Sequence, residues 1–322
     1  MYDLIGDIHG CADTLRAMLG DLGYAHDGRC YRHLDRKIIF LGDFVDRGPR
    51  QRDTLHTARA MVQHGAALAV MGNHEFNALA YHTPDPQHSG GYLRPHTAKN
   101  REQHQAFLDA YADDEAGRRE VLDWCATLPL WLELKTPSGA LRVVHACWDP
   151  ASIRVLRPSV DAHHRMTEPL LERASRHGTP EYAAVETLLK GKEVRLPAGL
   201  AFRDKGGHER HEVRIKWWEQ GGTFRSLALG PETGIPDDPI GAEHLITYTH
   251  EAPPVFLGHY WLTGEPTLLA PNIACVDYSV GLRGGKLVAY RWDGERRLDA
   301  THFRQVERLE PDDGSLPDSP SS

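Results

Sequence analysis

The sequence has few cysteines, and none of them forms a recognisable paired motif. The five are scattered at Cys11, Cys30, Cys125, Cys147 and Cys275, without a CxxC pair or the spacing of a disulfide framework. A zinc site built from thiolates is therefore not expected, and neither is a small scaffold held together by disulfides. We predict reduced thiols and a cytoplasmic location.

The chain also lacks long apolar runs and an excess of basic residues. No window approaches the roughly 18 uninterrupted apolar residues that a membrane span needs. Met1-Tyr2-Asp3 leads almost directly into the first polar motif, so we expect no signal peptide. The formal net charge of −8 argues against general binding to nucleic acid or to an anionic membrane.

The first 80 residues alternate between short apolar runs and segments with helical spacing. The pattern predicts strands at 2–5, 37–41 and 66–71 and helices at 12–22, 52–64 and 75–81. This βαβαβα order predicts a largely parallel sheet with helices outside. At 322 residues the chain is long enough to bury a large core.

The remainder of the chain is less regular. After a loop over 82–100, the pattern predicts a helix at 103–128, strands at 130–134 and 140–145, helices at 159–177 and 181–190, a hairpin around 205–207, and strands at 254–257, 273–278 and 286–292. We predict one domain over 1–309, with a core formed by 1–149 and 251–309 and an inserted cap at about 150–250. Residues 310–322 are expected to form a disordered tail, because Pro, Ser and Asp dominate them.

Three motifs near the N-terminus carry the chemistry: Gly6-Asp7-Ile8-His9-Gly10, GDFVDRG at 42–48 and GNHE at 72–75. Each follows an apolar run that is typical of a buried strand. Asp7 and His9 are two residues apart, so in extended backbone both side chains can face one ion. Asp43 can bridge two metals with its two oxygens, and Asn73 offers an amide oxygen.

Two later strands are each predicted to end in a histidine, His145 and His259. Together with the four donors above they give six mixed nitrogen and oxygen ligands, which suit borderline divalent metals such as manganese or iron. Two metals about 3.5–4 Å apart are a frequent arrangement for phosphoryl transfer. The sequence therefore predicts a dinuclear site at the ends of neighbouring strands.

Three further residues in the motifs are suited to act on a phosphate. Arg47 carries a planar guanidinium that can bind two phosphate oxygens and stays charged. His74 neighbours a predicted ligand and can protonate a leaving oxygen. Asp46 can hold the ring of His74 in place.

The three blocks resemble the signature of the calcineurin-like metallophosphoesterases, closest to their phosphoprotein-phosphatase branch (GDxHG, GDxVDRG, GNHE). The resemblance is strong over 1–80, moderate around 140–150 and 254–292, and absent over most of 150–250. It implies an α/β fold, a β-sandwich core flanked by helices, with the metals at the carboxyl ends of the strands. It also implies two divalent metal ions, with Mn²⁺ as the first expectation and Fe, Zn, Ni or Co as alternatives.

Carried over position by position, the resemblance implies a role for each motif residue. The first metal would be bound by Asp7 and His9, Asp43 would bridge, and the second would be bound by Asn73, His145 and His259. Arg47 would clamp the phosphate, His74 would be the general acid and Asp46 its partner. Metal-bound hydroxide would attack phosphorus directly, without a phosphoenzyme.

The sequence departs from the family pattern in two places. The usual His-Gly-Gly is His145-Ala146-Cys147, and the second phosphate-binding arginine has no motif that can be aligned. Three arginines are candidates to contact the substrate phosphate: Arg203, Arg210 and Arg214. Each could instead be a solvated surface charge. Trp217 or Trp218 could stack on a base, or the stretch around them could be a cap strand with alternating faces. Asp277, in a stretch similar to bacterial relatives such as the symmetrical diadenosine tetraphosphatases, either lies near the metals or closes a turn.

These observations predict a phosphohydrolase of the Ser/Thr protein phosphatase-like type, for which a phosphoprotein is one choice of substrate. A dinucleoside polyphosphate, such as diadenosine tetraphosphate, or a nucleic-acid end is the alternative substrate. A third hypothesis is that the protein is a metal-binding scaffold without catalytic activity. The motifs argue against it, because every ligand type, the arginine and the general acid are present.

Overall fold

The computed structural model describes residues 1–137, 139–203, 208–230 and 233–311. Its strands are β1 (Tyr2–Ile5), β2 (Ala25–His26), β3 (Tyr31–Arg32), β4 (Lys37–Phe40), β5 (Ala67–Ala69), β6 (Trp131–Thr136), β7 (Gly139–Val144), β8 (Glu193–Arg195), β9 (Phe202–Arg203), β10 (Glu209–Arg210), β11 (Glu212–Arg214), β12 (Val255–Leu257), β13 (Leu268–Ala270), β14 (Ile273–Cys275), β15 (Asp277–Tyr278), β16 (Lys286–Trp292) and β17 (Phe303–Glu307). Its helices are α1 (Ala12–Asp21), α2 (Gln51–Gln63), α3 (Asn73–His82), α4 (Ala98–Gln103), α5 (Gln105–Ala110), α6 (Glu115–Ala126), α7 (Pro150–Leu156), α8 (Glu168–Ala174), α9 (Pro180–Lys190) and α10 (Phe224–Leu227), with 3₁₀ turns at Ala242–His244 and Ala300–His302.

Two mixed sheets form the centre of the fold. Among the described residues, the first sheet has the order β15-β16-β1-β4-β5, with β17 paired to β16, and the second has the order β13-β14-β12-β7-β6. β1, β4 and β5 are parallel to one another, and so are β7, β12 and β14. The carboxyl ends of each parallel set therefore meet at one edge.

The two sheets stack face to face. Leu4 and Ile39 of the first sheet share one buried apolar cluster with Val143 and Phe256 of the second. Each of these side chains is fully buried, which explains why the strands read as uninterrupted apolar runs. A larger cluster on the outer faces includes side chains of the helices. The predicted β-sandwich flanked by helices is confirmed.

The middle of the chain differs from the expected insertion. Helices α7, α8 and α9 belong to the main apolar core through Leu156, Leu170 and Leu188. The cap predicted to begin at about residue 150 therefore does not form a separate core there. Only part of the predicted cap has an apolar cluster of its own, which includes Val194 and Ile215. The resemblance to the family is absent over most of 150–250, but sharing a core depends on contacts with distant segments, which the sequence pattern does not show.

Several element boundaries also differ from the prediction. The helix expected at 159–177 is only α8, which begins after Thr167; the Thr167 hydroxyl accepts a hydrogen bond from the amide of Leu170. The single helix expected at 103–128 is divided into α5 and α6, and α4 begins within the loop expected at 82–100. The strand expected at 273–278 leaves the second sheet after Cys275 and joins the first at Asp277.

Two predictions fall partly outside the described residues. β9 and β10 pair antiparallel, as the predicted hairpin requires, but its turn at 204–207 is not described. The predicted tail lies outside the described residues from 312 onward. Glu310, which we expected in that tail, is instead buried against α1.

The structure bears on two of the absences noted in the sequence. All five cysteines lie within the described residues, and each is buried and free. In the part of the chain that is described, no helix has the length and apolar character needed to cross a membrane.

Candidate metal centre

The loops after β1 and β4 hold each other in place at the carboxyl edge of the first sheet. The amides of Ile8 and His9 both donate to the carbonyl of Asp43, at 3.0 and 2.9 Å. His9 and Asp43 have φ angles of 47° and 50°, a left-handed conformation that is costly for residues other than glycine. These turns bring Asp7, His9 and Asp43 into one buried cluster.

The carboxylate of Asp43 lies at the centre of this cluster. Its Oδ2 atom is 3.4 Å from Nε2 of His145, 3.7 Å from Nε2 of His9 and 4.0 Å from Nε2 of His74. Burial by itself raises the pKa of Asp43, but the surrounding histidines outweigh it and hold the pKa well below its usual range. Asp43 is therefore an ionised oxygen donor that faces three imidazoles.

The second sheet contributes the two late histidines. His145 follows β7 and His259 follows β12, and both approach Asn73 at the start of α3. Oδ1 of Asn73 is 3.0 Å from Nε2 of His145 and 2.8 Å from Nδ1 of His259. Nδ1 of His145 donates to the carbonyl of Leu41 at 2.6 Å, which fixes its Nε2 toward the cluster.

His9 provides the clearest test of whether a metal fits. Its Nδ1 lies 3.0 Å from the carbonyl of Val45 and donates to it, and its buried Nε2 has no hydrogen-bond partner. Burial and the neighbouring His74 lower the pKa of His9 to about 3, so the ring is neutral. A neutral imidazole with one nitrogen held by a carbonyl and the other unpartnered has the arrangement of a metal ligand.

The donors form two groups that share Asp43. One ligand atom from each of His9, Asp43 and His74 lies within 4.8 Å of the others, and the same holds for Asp43, His145 and His259. Both groups offer nitrogen and oxygen but no sulfur, which suits borderline divalent cations. The first group contains His74, which the sequence predicted as the general acid, rather than the predicted ligand Asp7. The residues present fit two divalent metal ions, because each group supplies three donor atoms, one of them from Asp43.

Two buried carboxyl groups, Asp7 and Asp277, lie on the first-sheet side of this centre. Burial raises the pKa of Asp7, and Asp277 raises it further. Burial likewise raises the pKa of Asp277 to about 6, against hydrogen bonds from the amides of Ser279 and Trp261. These bonds measure 3.0 and 2.7 Å. Asp277 thus closes a turn, and it also interacts electrostatically with a predicted ligand.

His74 and Asp46 are joined by a short hydrogen bond. Nδ1 of His74 lies 2.6 Å from Oδ2 of Asp46, so the Nε2 atom of His74 is left to face Asp43. Asp46 has a φ of 70°. Gln51 stabilises this turn, because its Oε1 accepts the amide of Asp46 at 2.9 Å and its Nε2 donates to the Asp46 carbonyl at 3.0 Å.

Arg47 lies against an aromatic ring at the edge of the cluster. Its guanidinium carbon is 4.2 Å from the ring centroid of Trp261, and this ring also stacks on His9 with centroids 5.2 Å apart. Burial lowers the pKa of Arg47, while Asp46 and other nearby carboxylates oppose the shift. The cation–π contact with Trp261 gives the Arg47 side chain a fixed direction at the site.

The predicted substrate contacts lie in different places. Nη1 of Arg214 is 3.3 Å from Nε2 of His259, and its Nη2 donates to Glu193 at 3.2 Å, so Arg214 is at the site. Arg203 and Arg210 are exposed on β9 and β10.

The expected tryptophan shelf is wrong. Trp217 is only 1% exposed, and its Nε1 donates to the Ala146 carbonyl at 3.1 Å. Trp218 is also buried and meets Tyr260 edge to face. Neither ring is available to stack on a substrate, because the alternation of basic and aromatic residues here buries the aromatic face in the core.

Four residues at the site carried no role in the sequence-based interpretation: Gln51, Glu75, His104 and Trp261. Glu75, although part of the GNHE motif, is fully buried and accepts the amides of Asp43 at 2.8 Å and Gly72 at 3.0 Å. His104 binds Asp46 at 2.7 Å. Position within a motif could have drawn attention to Glu75, but nothing in the sequence distinguishes the other three from ordinary polar or aromatic residues.

A two-sheet sandwich with a cluster of nitrogen and oxygen donors at its strand ends is the architecture of a metal-dependent phosphoesterase. The family model described as calcineurin-like phosphoesterase matches residues 2–196, more than half of the 322 residues. The chain therefore belongs to the calcineurin-like phosphoesterase family. At the level of the family, the predicted class of phosphoester hydrolase is confirmed.

Individual relatives match shorter stretches. A symmetrical bis(5'-nucleosyl)-tetraphosphatase of Vibrio cholerae is 33% identical over 166 residues, which cover 51% of this chain and 52% of the relative. The asymmetrical bis(5'-nucleosyl)-tetraphosphatase PrpE of Halalkalibacterium halodurans is 39% identical over 74 residues, 23% of this chain and 30% of the relative. The matches thus span about half or less of these relatives.

Among solved structures, a serine/threonine phosphatase from Saccharomyces cerevisiae superimposes with a TM-score of 0.46 at 13% identity. The superposition covers 95% of this chain and 79% of that one.

Proposed function

We propose that this protein is a dinuclear metal-dependent phosphohydrolase of the Ser/Thr protein phosphatase-like type. It cleaves a phosphoester by direct attack of water on phosphorus. The observation that carries the proposal is the position of Oδ2 of Asp43, within 3.4–4.0 Å of nitrogen atoms from three histidines. The three histidines come from separate segments, after β1, β5 and β7, and a structural turn at Asp43 would not require them to converge there.

The proposal assigns the ligands to two ions. Asp7, His9 and Asp43 would hold one, and Asn73, His145 and His259 the other, with Asp43 shared. When bound, the ions would activate water as a nucleophile and neutralise charge on the phosphoryl oxygens. Mn²⁺ is the proposed metal, because the ligands are imidazole, carboxylate and amide.

The chain itself supplies proton transfer and phosphate binding. Asp46 accepts the Nδ1 proton of His74, so Nε2 of His74 is the atom that can protonate the leaving oxygen. Arg47, held against Trp261, presents a fork that matches two phosphate oxygens. Arg214, beside His259, is the proposed second cation.

Two variants test the chemistry. His74→Asn is expected to lower manganese-dependent hydrolysis of an aryl phosphate by about 10²–10⁴-fold, the usual contribution of positioned proton transfer, with a smaller effect on metal content. Asp43→Asn is expected to lose bound metal, measured by metal analysis of the purified protein. Asp113→Asn, at an exposed position, is the control. Undiminished hydrolysis in both site variants would contradict the proposal.

A second substrate class is favoured by the relatives. Those named above are bis(5'-nucleosyl)-tetraphosphatases, so a dinucleoside polyphosphate is the alternative to a phosphoprotein, and a nucleic-acid end is a further one. Hydrolysis rates on diadenosine tetraphosphate, a phosphopeptide panel and a 5'-phosphorylated oligonucleotide discriminate among these. Two bound ions without activity on any of them would instead support a non-catalytic metal-binding scaffold.

The organisation of the chain is part of the same proposal. We propose that 1–309 form a single phosphoesterase domain, in which the cluster with Val194 and Ile215 brings Arg214 over the metal centre. A cytoplasmic location remains a prediction, and imaging of a tagged chain in the source cell tests it.

A further inference from the structure

The carboxylate of Asp46 binds two histidines, one on each oxygen. Oδ2 lies 2.6 Å from Nδ1 of His74, and Oδ1 lies 2.7 Å from Nδ1 of His104. Asp46 and His104 are 1% and 0% exposed. The chain therefore contains a continuous series His74–Asp46–His104, of which only the first two members belong to the sequence motifs.

The surroundings of His104 fix its ring. It lies between α4 and α5 and stacks on Phe107, with centroids 4.7 Å apart and planes 18° from parallel. On its other edge, Nε2 is 3.4 Å from Nε2 of His82. Burial and the neighbouring His104 lower the pKa of His82 to about 4, so His82 is neutral near pH 7. The ring is thus held on its face and at both nitrogens.

A second donor changes what Asp46 can do for His74. A carboxylate bound on one oxygen retains a broad torsional range about its terminal bond, so a single hydrogen bond leaves the plane of the group poorly defined. Donors on both oxygens fix that plane. Burial raises the pKa of Asp46, but His104 first and then His74 outweigh it, so the group stays ionised.

We propose that His104 is a positioning residue for the general acid, acting through Asp46 to fix the ring of His74. The inference rests on the function proposed above. His104 does not touch the substrate. It sets the direction in which His74 presents Nε2 and keeps Nδ1 of His74 protonated toward the carboxylate.

Leaving-group dependence tests this role in the manganese-loaded protein. His104→Leu removes the donor, His104→Asn retains an N–H near the position of Nδ1, and Phe107→Leu perturbs the packing but keeps the hydrogen bond. A poor leaving group needs protonation by His74 and a good one does not. In His104→Leu we expect kcat for phenyl phosphate to fall by about 10- to 100-fold, part of the contribution of a positioned acid. We expect little change for 2,4-dinitrophenyl phosphate and an unchanged KM for both.

The control variants distinguish positioning from stability. We expect His104→Asn to recover most of the loss on phenyl phosphate, and Phe107→Leu to lower the unfolding midpoint without dependence on the leaving group. Equal losses on both substrates in His104→Leu, or losses that follow metal content, would overturn the inference.

A spectroscopic readout separates failure of this inference from failure of the proposed function. The downfield proton resonance of the His74 Nδ1–H, assigned with ¹⁵N-histidine and His74→Asn, requires no turnover. We expect it to shift or broaden in His104→Leu and to return in His104→Asn. If the wild-type protein hydrolyses no phosphoester, the proposed function is contradicted. A resonance that still depends on His104 would nevertheless support the positioning of the His74 ring by His104. A resonance unchanged in His104→Leu overturns the positioning role.

Discussion

The backbone at Gly72 passes unusually close to the Asp43 side chain. A Cβ atom placed on Gly72 would lie 2.1 Å from Oδ1 and 2.5 Å from the amide nitrogen of Asp43. Glu75 holds the two residues together, because one of its oxygens accepts the amides of both. The glycine of GNHE is therefore required by the position of a predicted metal ligand.

Gly72→Ala should displace the Asp43 carboxylate. We expect a loss of about 1–3 kcal/mol in the free energy of unfolding, as is usual for overpacking a dense site, together with reduced metal content. Urea denaturation and metal analysis measure the two effects. Gly20→Ala is the matched control, because a Cβ there meets nothing within 4 Å and helix propensity favours Ala by about 0.5–1 kcal/mol. Full metal content in Gly72→Ala would contradict this account.

Trp261 and Trp217 should respond differently to the same substitution. Trp261 holds Arg47 by a cation–π contact, which is worth up to about 2 kcal/mol when desolvated. In Trp261→Leu we expect KM for a phosphoester to rise by up to about 30-fold, because the phosphate clamp loses its direction. Steady-state kinetics on an aryl phosphate measure it.

Trp217→Leu serves as the comparison for that variant. Trp217 is buried and makes its hydrogen bond to the Ala146 carbonyl, so its replacement by Leu should cost up to about 3 kcal/mol of stability, less than the roughly 3–5 kcal/mol usual for truncation of a core Trp to Ala. We expect a lower unfolding midpoint with KM unchanged in the fraction that remains folded. A KM that moves equally in both variants would argue against a specific role of Trp261.

At the scale of elements, α1 depends on the far end of the chain. Its first turn follows Cys11, which makes no capping hydrogen bond. Glu310 supplies acceptors instead: Oε1 binds the amides of Asp13 at 2.7 Å and Thr14 at 3.2 Å, and Oε2 accepts the Thr14 hydroxyl at 2.5 Å. A carboxylate at this end also interacts favourably with the helix dipole.

Replacing Glu310 should therefore destabilise the protein through α1. We expect Glu310→Ala to lower the free energy of unfolding by about 1–3 kcal/mol, because two amides and a hydroxyl lose a charged acceptor. Chemical denaturation measures the change, and hydrogen exchange of the Asp13 and Thr14 amides localises it. Glu307→Ala, exposed on β17, should change stability little. Equal effects in the two variants would show that Glu310 does not cap α1.

Element prediction succeeded where periodicity and burial coincide. The strands at the first two motifs are short runs buried on both faces, and β1 matches its predicted bounds of 2–5. The helix expected at 159–177 failed because residues before Thr167 form turns that close on Asp161, whose Oδ1 accepts the amides of His163 and Arg165. Such local side-chain hydrogen bonds compete with a helix, and spacing alone does not reveal them.

At the scale of the whole molecule, metal should stabilise the fold by linking the two sheets. The proposed ligands come from loops after β1, β4, β5, β7 and β12, so an ion would join both layers. Removal of the metal by a chelator should lower the unfolding temperature. Addition of Mn²⁺ at about 100 times its Kd should restore about 2.7 kcal/mol of the free energy of unfolding. Differential scanning calorimetry of the treated and reloaded protein measures both. An unfolding temperature that does not respond to chelation or to added Mn²⁺ would contradict a site shared between the sheets.

The sequence by itself predicted the ligand types and their order, because each predicted donor lies just after an apolar strand, and Asp7, Asp43, Asn73 and His259 each directly follow a glycine. It also predicted an α/β core whose strands are covered on both faces, whereas the β-sandwich was implied by the resemblance of the motifs to the family. The tertiary structure alone decided that Trp217 is core and Trp261 is at the site. It also decided that α7, α8 and α9 share the main core, and that His104 binds Asp46 from 58 residues away. Each of these depends on contacts between distant segments, which local periodicity does not encode.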